Sequence, residues 1–229
     1  MRPSKGRPAG ITLISTQPLW LDVSLWSADL ANLERDIRRL EPFADSFHLD
    51  AADGHYVPTL LFFPDLVARL RPLTSVPFHL HLLATRPLDL LDAFLDAGVD
   101  RVTFPLEVGK RVWPAIDRVR SRGKAAGVSL ELDTPLEAVK PLRSRVDTVV
   151  LMGTQMGVKG CGLDDRACDR ISEMHALLHG SPVRLVADGG IREQTVPLLR
   201  ASGADGIVPG SLLCGSADLA ATHSWLKSL

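Results

Sequence analysis

The sequence predicts a single (β/α)8 TIM barrel. From about residue 20 onward, short β-type runs alternate with amphipathic stretches. Several of those stretches stop at a glycine suited to close a helix, at Ala97-Gly98, Arg122-Gly123 and Ser202-Gly203, and a new strand follows each. The segments DAGVDRVTF and ASGADGIVPG nearly repeat one such junction. Eight strand–helix units at close to 229 residues is the arithmetic of this barrel.

The elements follow in order. A first strand spans Leu19–Ser24, and Leu30, Leu33, Ile37 and Leu40 then share one helical face over Leu30–Leu40. Strands come next at Ser46–Asp50, Phe78–Leu82, Arg101–Phe104, Gly127–Leu130, Thr148–Met152, Arg184–Ala187 and Gly206–Val208. Helical patterns separate them at Pro87–Ala97, Val112–Arg122, Asp165–Leu178 and Glu193–Ser202. A doubly wound sheet would need a Gly-rich turn after an early strand. The first strand here runs instead into Leu25-Trp26-Ser27-Ala28-Asp29.

Residues 19–229 are expected to form the catalytic domain. Residues 1–18 hold Arg2, Lys5 and Arg7 among several Pro and Gly and read as a disordered leader. A hydrophobic share of 45% supports a full core, and a formal net charge of −1 gives no footprint for nucleic acid or an anionic membrane. No segment is long enough to span a bilayer. Three cysteines, Cys161, Cys168 and Cys214, lack metal-finger spacing and suit a reduced, cytoplasmic protein.

Barrel chemistry sits where strands end. Those positions hold Ser24, His48 with Asp50, His81, Pro105 with Glu107, Glu131, Met152, Asp188, and Gly210 with Ser211. His48 and Asp50 are two apart and share a strand face. With His81 and Asp188 they make a mixed imidazole–carboxylate set suited to one divalent transition metal, Zn, Fe, Mn or Co, rather than Mg²⁺ or Ca²⁺. Asp50 and Asp188 also suit an acid–base pair, one removing a proton from carbon and the other returning one to the opposite face. That chemistry needs no organic cofactor. Asp53, nearby, reads as a loop cap. Gly189, Gly190, Gly210 and Ser211 end the last two strands, where barrel loops bind phosphate through backbone amides.

These residues resemble the ribulose-phosphate 3-epimerase family over roughly residues 20–220. DVSLWSADLANL is similar to that family's opening strand and helix, and FHLDAADGHYVPTLLF closely follows its most specific signature. FHLHLLATRP, VADGGI and VPGSLLCG complete the likeness. The resemblance implies metal ligation by His48, Asp50, His81 and Asp188, with Asp50 and Asp188 as the catalytic pair. It implies substrate contact by Ser24, with Met152 retained beside the metal, and phosphate contact by Gly189, Gly190, Gly210 and Ser211. It further implies a homo-oligomer, a dimer or hexamer, and D-ribulose 5-phosphate as the phosphorylated ketose substrate, converted to D-xylulose 5-phosphate.

The departures fall around that core. The family's sixth loop is rewritten here as MGTQMGVKGCGL, keeping Gly157 and Gly160. Lys159 there either offers a cation to the substrate or is simply solvated. Ala52 and Leu83 stand where the family favours Met, Pro105 replaces a His, and His79 replaces an Asp. An epimerase of another ketose phosphate, such as allulose 6-phosphate or a tetrulose phosphate, is therefore the alternative, followed by a non-catalytic sugar-phosphate-binding barrel. Schiff-base aldolase and orotidine-phosphate-type decarboxylase chemistry need a lysine at a strand end, and Lys5, Lys110, Lys124, Lys140, Lys159 and Lys227 all lie elsewhere. Trp26, Leu61, Phe62 and Phe63 are apolar near the rim and are expected to line the pocket or cover a partner surface.

Overall fold

Alternation along the strands sorts apolar side chains outward and polar ones inward, and closure of the sheet then makes the barrel. The computed structural model describes residues 17–229. The leader expected over residues 1–18 lies outside the described residues except for Gln17 and Pro18. Eight parallel strands pair in chain order: β1 (Trp20–Ser24), β2 (Ser46–Ala52), β3 (Phe78–Leu83), β4 (Arg101–Pro105), β5 (Ala125–Leu130), β6 (Thr148–Met152), β7 (Arg184–Asp188) and β8 (Gly206–Val208). β8 returns to β1 through Trp20↔Gly206 and Leu21↔Ile207, so the sheet has no free edge. The chain forms the expected (β/α)8 TIM barrel.

Outward-facing Leu21, Val23, Phe47, Leu49, Phe78, Leu80, Val102 and Phe104 pack beneath the helices in one continuous core. Burying each such large side chain contributes about 1.5–3 kcal/mol relative to exposing it. The interior is divided. Asp22, Ser46, His48, Asp50, His79, His81, Thr103 and Ser129 bring buried polar groups from β1–β5. Val150, Met152, Val186 and Val208 supply a small apolar cluster from β6–β8. Barrel interiors are ordinarily filled by branched apolar side chains. The polar half departs from that packing.

The helices are α1 (Leu33–Leu40), α2 (Pro64–Leu70), α3 (Leu88–Asp96), α4 (Val112–Ser121), α5 (Ala167–Leu178), α6 (Val196–Ala201), α7 (Ser211–Cys214) and α8 (Leu219–Lys227). Gly98, Gly123 and Gly203 follow α3, α4 and α6 with positive φ, as the junction pattern predicts. Two expectations need correction. The first helix starts at Leu33, not Leu30, because the Asp29 carboxylate accepts from the Ala31 amide and the Asn32 side chain and builds a turn there. Leu30 is left 52% exposed, off the buried face. The segment between β5 and β6 carries a 3₁₀ stretch, Leu136–Leu142, in place of an α-helix. Pro135 precedes it and Pro141 lies within it, so it lacks the donors a longer helix needs. After β8 there are two helices, α7 and α8. Among the described residues no helix is long and apolar enough to cross a membrane.

Candidate active site

β2, β3 and β7 each deliver one inward-facing acid or imidazole, or both, to the C-terminal rim. Register places Asp50 beside His81 on the neighbouring strand. The His48 Nε2 lies 3.3 Å from Asp50 Oδ1 and 3.8 Å from Asp188 Oδ2. The His81 Nδ1 lies 3.2 Å and 3.9 Å from the same two oxygens. One donor atom from each of the four residues falls within 4.8 Å of the others. Two imidazole nitrogens and two carboxylate oxygens at this spacing fit a divalent transition metal, on donor chemistry as well as on distance.

The remaining ring nitrogens are held from behind. His81 Nε2 lies 2.8 Å from the Ser129 hydroxyl of β5, and His48 Nδ1 lies 2.8 Å from an Asp22 oxygen of β1. Each ring is thus fixed by one nitrogen and presents the other to the rim.

The two carboxylates differ sharply in proton affinity. Burial opposes charge on Asp50, but His48, reinforced by His81, outweighs it and holds this carboxyl well below the usual range. Burial pushes Asp188 up to about 6; His48 works against that rise and Asp50 adds to it. Burial likewise opposes charge on His48, yet Asp50 and Asp22 carry its pKa well above that of a free imidazole. Neighbouring acids in one pocket are thereby set apart, a common arrangement for proton transfer.

Above the quartet opens a cleft of about 320 Å³. Asp50, His81 and Asp188 line it, together with Ser24, Met152, Gly157, Gly189, Gly190, Gly210 and Ser211, while His48 sits beneath, fully buried. Every other position expected to touch substrate or metal therefore borders one cavity. Gly189 and Gly190 have φ of +89° and +69°, and a side chain at Gly190 would come within 2.7 Å of the Leu163 Cα. Glycine is needed at both positions, because a side chain would be strained and would run into Thr154 or Leu163 of the sixth loop.

The rim residues outside this cavity have structural work. Tyr56 donates to Glu131 at 2.5 Å and lies 3.4 Å from Glu107, away from the cleft. Asp53 caps its loop as expected, accepting from the amides of His55, Tyr56 and Thr85. Of the apolar rim residues, Trp26 lines the cleft, Phe62 is buried in the core and Phe63 is exposed.

The rewritten sixth loop is pinned at its base, where the Gly153 amide donates to the Asp188 carbonyl at 2.6 Å and the Asp164 amide to the Gly153 carbonyl at 2.8 Å. Its Thr154, Gln155, Met156 and Lys159 line the cleft, as does Arg192 just beyond Gly190. Sequence reasoning missed Arg192, Ser129 and Asp22 as neighbours of the site. Ser129 and Asp22 carried a faint signal, being polar in mostly apolar strands.

Comparison with known proteins gives the family. The Ribulose-phosphate 3 epimerase family model matches residues 20–214. The ribulose-phosphate 3-epimerase of Treponema pallidum (strain Nichols) is 36% identical over 191 residues, 82% of this chain and 88% of the relative. That of Rhodobacter capsulatus is 34% identical over 190 residues, 82% of each chain, and that of Bacillus subtilis (strain 168) 32% over 199 residues, 85% of this chain and 92% of the relative. Among solved structures, orotidine 5′-phosphate decarboxylase from Pyrococcus horikoshii OT3 aligns with a TM-score of 0.66 at 13% identity, covering 91% of this chain and 97% of its own, a likeness of fold alone. The chain, with its acid–imidazole quartet at the barrel rim, belongs to the ribulose-phosphate 3-epimerase family of isomerases.

Proposed function

We propose that this protein inverts C3 of a phosphorylated ketose, D-ribulose 5-phosphate to D-xylulose 5-phosphate, through proton transfer by two aspartates. One observation carries this reading: Asp50 and Asp188, on β2 and β7, meet at one rim, each within 4 Å of the same two imidazole nitrogens. Asp50, ionised, is the base. It takes the proton from C3, and the electron pair left behind forms an enediolate with the adjacent carbonyl. Asp188, carrying the proton to be delivered, returns it to C3 on the other face. The reverse reaction exchanges the two roles, and solvent resets both acids. When bound by His48, Asp50, His81 and Asp188, a divalent transition metal, Zn, Fe, Mn or Co, supplies positive charge that stabilises the developing oxyanion.

Ser24 and Met152 border the reacting end, and backbone amides around Gly157, Gly189, Gly190, Gly210 and Ser211 receive the phosphate. Membership of the family and the names of its relatives support this substrate. A cytoplasmic setting accords with the unpaired Cys161, Cys168 and Cys214. A homo-oligomer is part of the same proposal, since Leu60 and Phe63 are exposed beside the rim.

The test is hydrogen exchange at C3 in deuterated water across ketotetrose, ketopentose and ketohexose phosphates, with Fe²⁺, Mn²⁺, Co²⁺ or Zn²⁺ added. Exchange and inversion of ribulose 5-phosphate above all others is the expected result. A preference for another ketose phosphate would reassign the substrate and implicate the altered loop. No exchange with any of them would defeat the proposal.

A further inference from the structure

One layer below the quartet, the barrel encloses a second constellation of polar groups. Asp22 of β1 is 1% exposed and accepts on every side. Its Oδ2 lies 2.8 Å from His48 Nδ1 and 2.5 Å from His79 Nδ1, and its Oδ1 takes the Ser46 hydroxyl. The far nitrogen of His79, Nε2, lies 2.7 Å from the Thr103 hydroxyl of β4. The rings of His48 and His79 meet edge to face, 4.9 Å between centroids.

Proton accounting on this chain fixes both Nδ1 atoms. An ionised carboxylate only accepts, so both imidazoles must carry hydrogen on Nδ1. His79 Nε2 is then a bare acceptor, and Thr103 donates to it. His48 is left with Nε2 as the nitrogen facing Asp50 and Asp188. Had Asp22 been a donor or an apolar residue, nothing buried here would prefer hydrogen on Nδ1. Asp50 would then hold the ring's hydrogen on Nε2, where a metal ion needs the lone pair.

We infer that Asp22 is a positioning residue: it keeps hydrogen on His48 Nδ1 and so reserves Nε2 for a metal ion at the rim, while His79 and Ser46 clamp its carboxylate. The metal half of this inference rests on the proposed function; the proton half does not. Asp22, His48 and His79 also lie close enough to form a metal group of their own. The hydrogen-bond chain leaves neither Nδ1 a lone pair for one, because both point their hydrogens at the same oxygen. The site takes one ion, not two.

The experiment is ¹⁵N-imidazole NMR on histidine-labelled protein, paired with Zn²⁺ titration against a chromophoric chelator, for the wild type and Asp22→Asn. In the wild type His48 should show a protonated Nδ1 that persists when Zn²⁺ binds through Nε2, at one equivalent. In Asp22→Asn His48 Nδ1 should lose its hydrogen, leaving Nε2 as the protonated nitrogen, and Zn²⁺ affinity should fall about 10–100-fold, as is typical when a metal-ligating histidine loses its carboxylate partner. Ser46→Ala, which leaves both Nδ1 contacts in place, should keep the wild-type pattern. An unprotonated His48 Nδ1 in the wild type, a second equivalent of Zn²⁺, or an Asp22→Asn variant matching the wild type in both readouts would each overturn the inference. Absence of any Zn²⁺ binding by the wild type would defeat the metal reading, while the proton map still decides the role of Asp22. Should Asp22→Asn fail to fold, the wild-type proton map decides alone.

Discussion

Lys159 reaches across the rim to Trp26: its Nζ donates to the Trp26 carbonyl oxygen at 2.6 Å and stands 5.3 Å from the centre of the indole ring. The sixth loop is thereby tied to the segment that follows β1, over a cleft both residues line. A charge-assisted hydrogen bond and a cation–π contact combine here, each weakened by exposure.

Lys159→Met removes the tie and a cleft-lining cation together. The expected outcome is a KM for the phosphorylated ketose raised about 5–10-fold, equivalent to about 1–1.4 kcal/mol, with kcat changed less than about twofold. Steady-state kinetics against Lys159→Arg, which keeps charge and reach, checks it. A Met variant indistinguishable from wild type would mean that Lys159 is only a solvated side chain.

Asp50→Asn and Asp188→Asn should each abolish inversion. General acid–base groups are worth about 10²–10⁴ in rate, and each variant should lose at least that much kcat with its fold intact. Epimer formation followed by NMR, alongside circular dichroism, is the measurement. A variant keeping a tenth of the wild-type rate would remove that residue from the mechanism.

Metal-free stability should depend on pH through Asp188. Its folded pKa is raised to about 6 from 3.8, so the folded state holds an extra proton between those values. The stabilisation is therefore complete below about pH 4 and lost as pH rises through about 6. Asp188→Asn, which stays neutral, should match the wild type near pH 4 and exceed it above pH 6 by up to about 3 kcal/mol. Urea unfolding with chelator present, at both pH values, reads this directly. A gap that is equal at the two pH values would refute the assignment.

Gly190→Ala should cost both stability and binding. Its φ of +69° charges about 1–2 kcal/mol to any side chain, and the new Cβ meets the Leu163 backbone at 2.7 Å. A lower urea midpoint together with a raised KM is expected. Loss of stability alone would separate this turn from the phosphate.

Most of the barrel is legible in the chain because its signals are local. Thr148–Met152 and Gly206–Val208 match their predicted ends, and the other strands begin or end within two residues of theirs. The misses have local causes too. Asp29 builds a turn that outcompetes the Leu30 periodicity, and two prolines shorten the segment after β5. The quartet was legible because strand ends and a long motif coincide. Asp22, Ser129 and Thr103 were not, because their meaning arises only when β1, β4 and β5 close around β2 and β3. His79 stood out as a departure, but its partner lies 57 residues away on another strand. No pattern within a strand announces such a pairing.

The pinned base of the sixth loop bears on how this barrel can be altered. Because the Gly153 carbonyl receives the Asp164 amide, residues 154–163 leave and re-enter the scaffold at nearly one point. Such a segment has the geometry of an exchangeable cassette: its exposed residues can vary while the closed base leaves the ends of β6 and β7 in place. The lining that this loop gives the cleft can thus be exchanged by grafting, while Asp50 and Asp188 stay where β2 and β7 hold them.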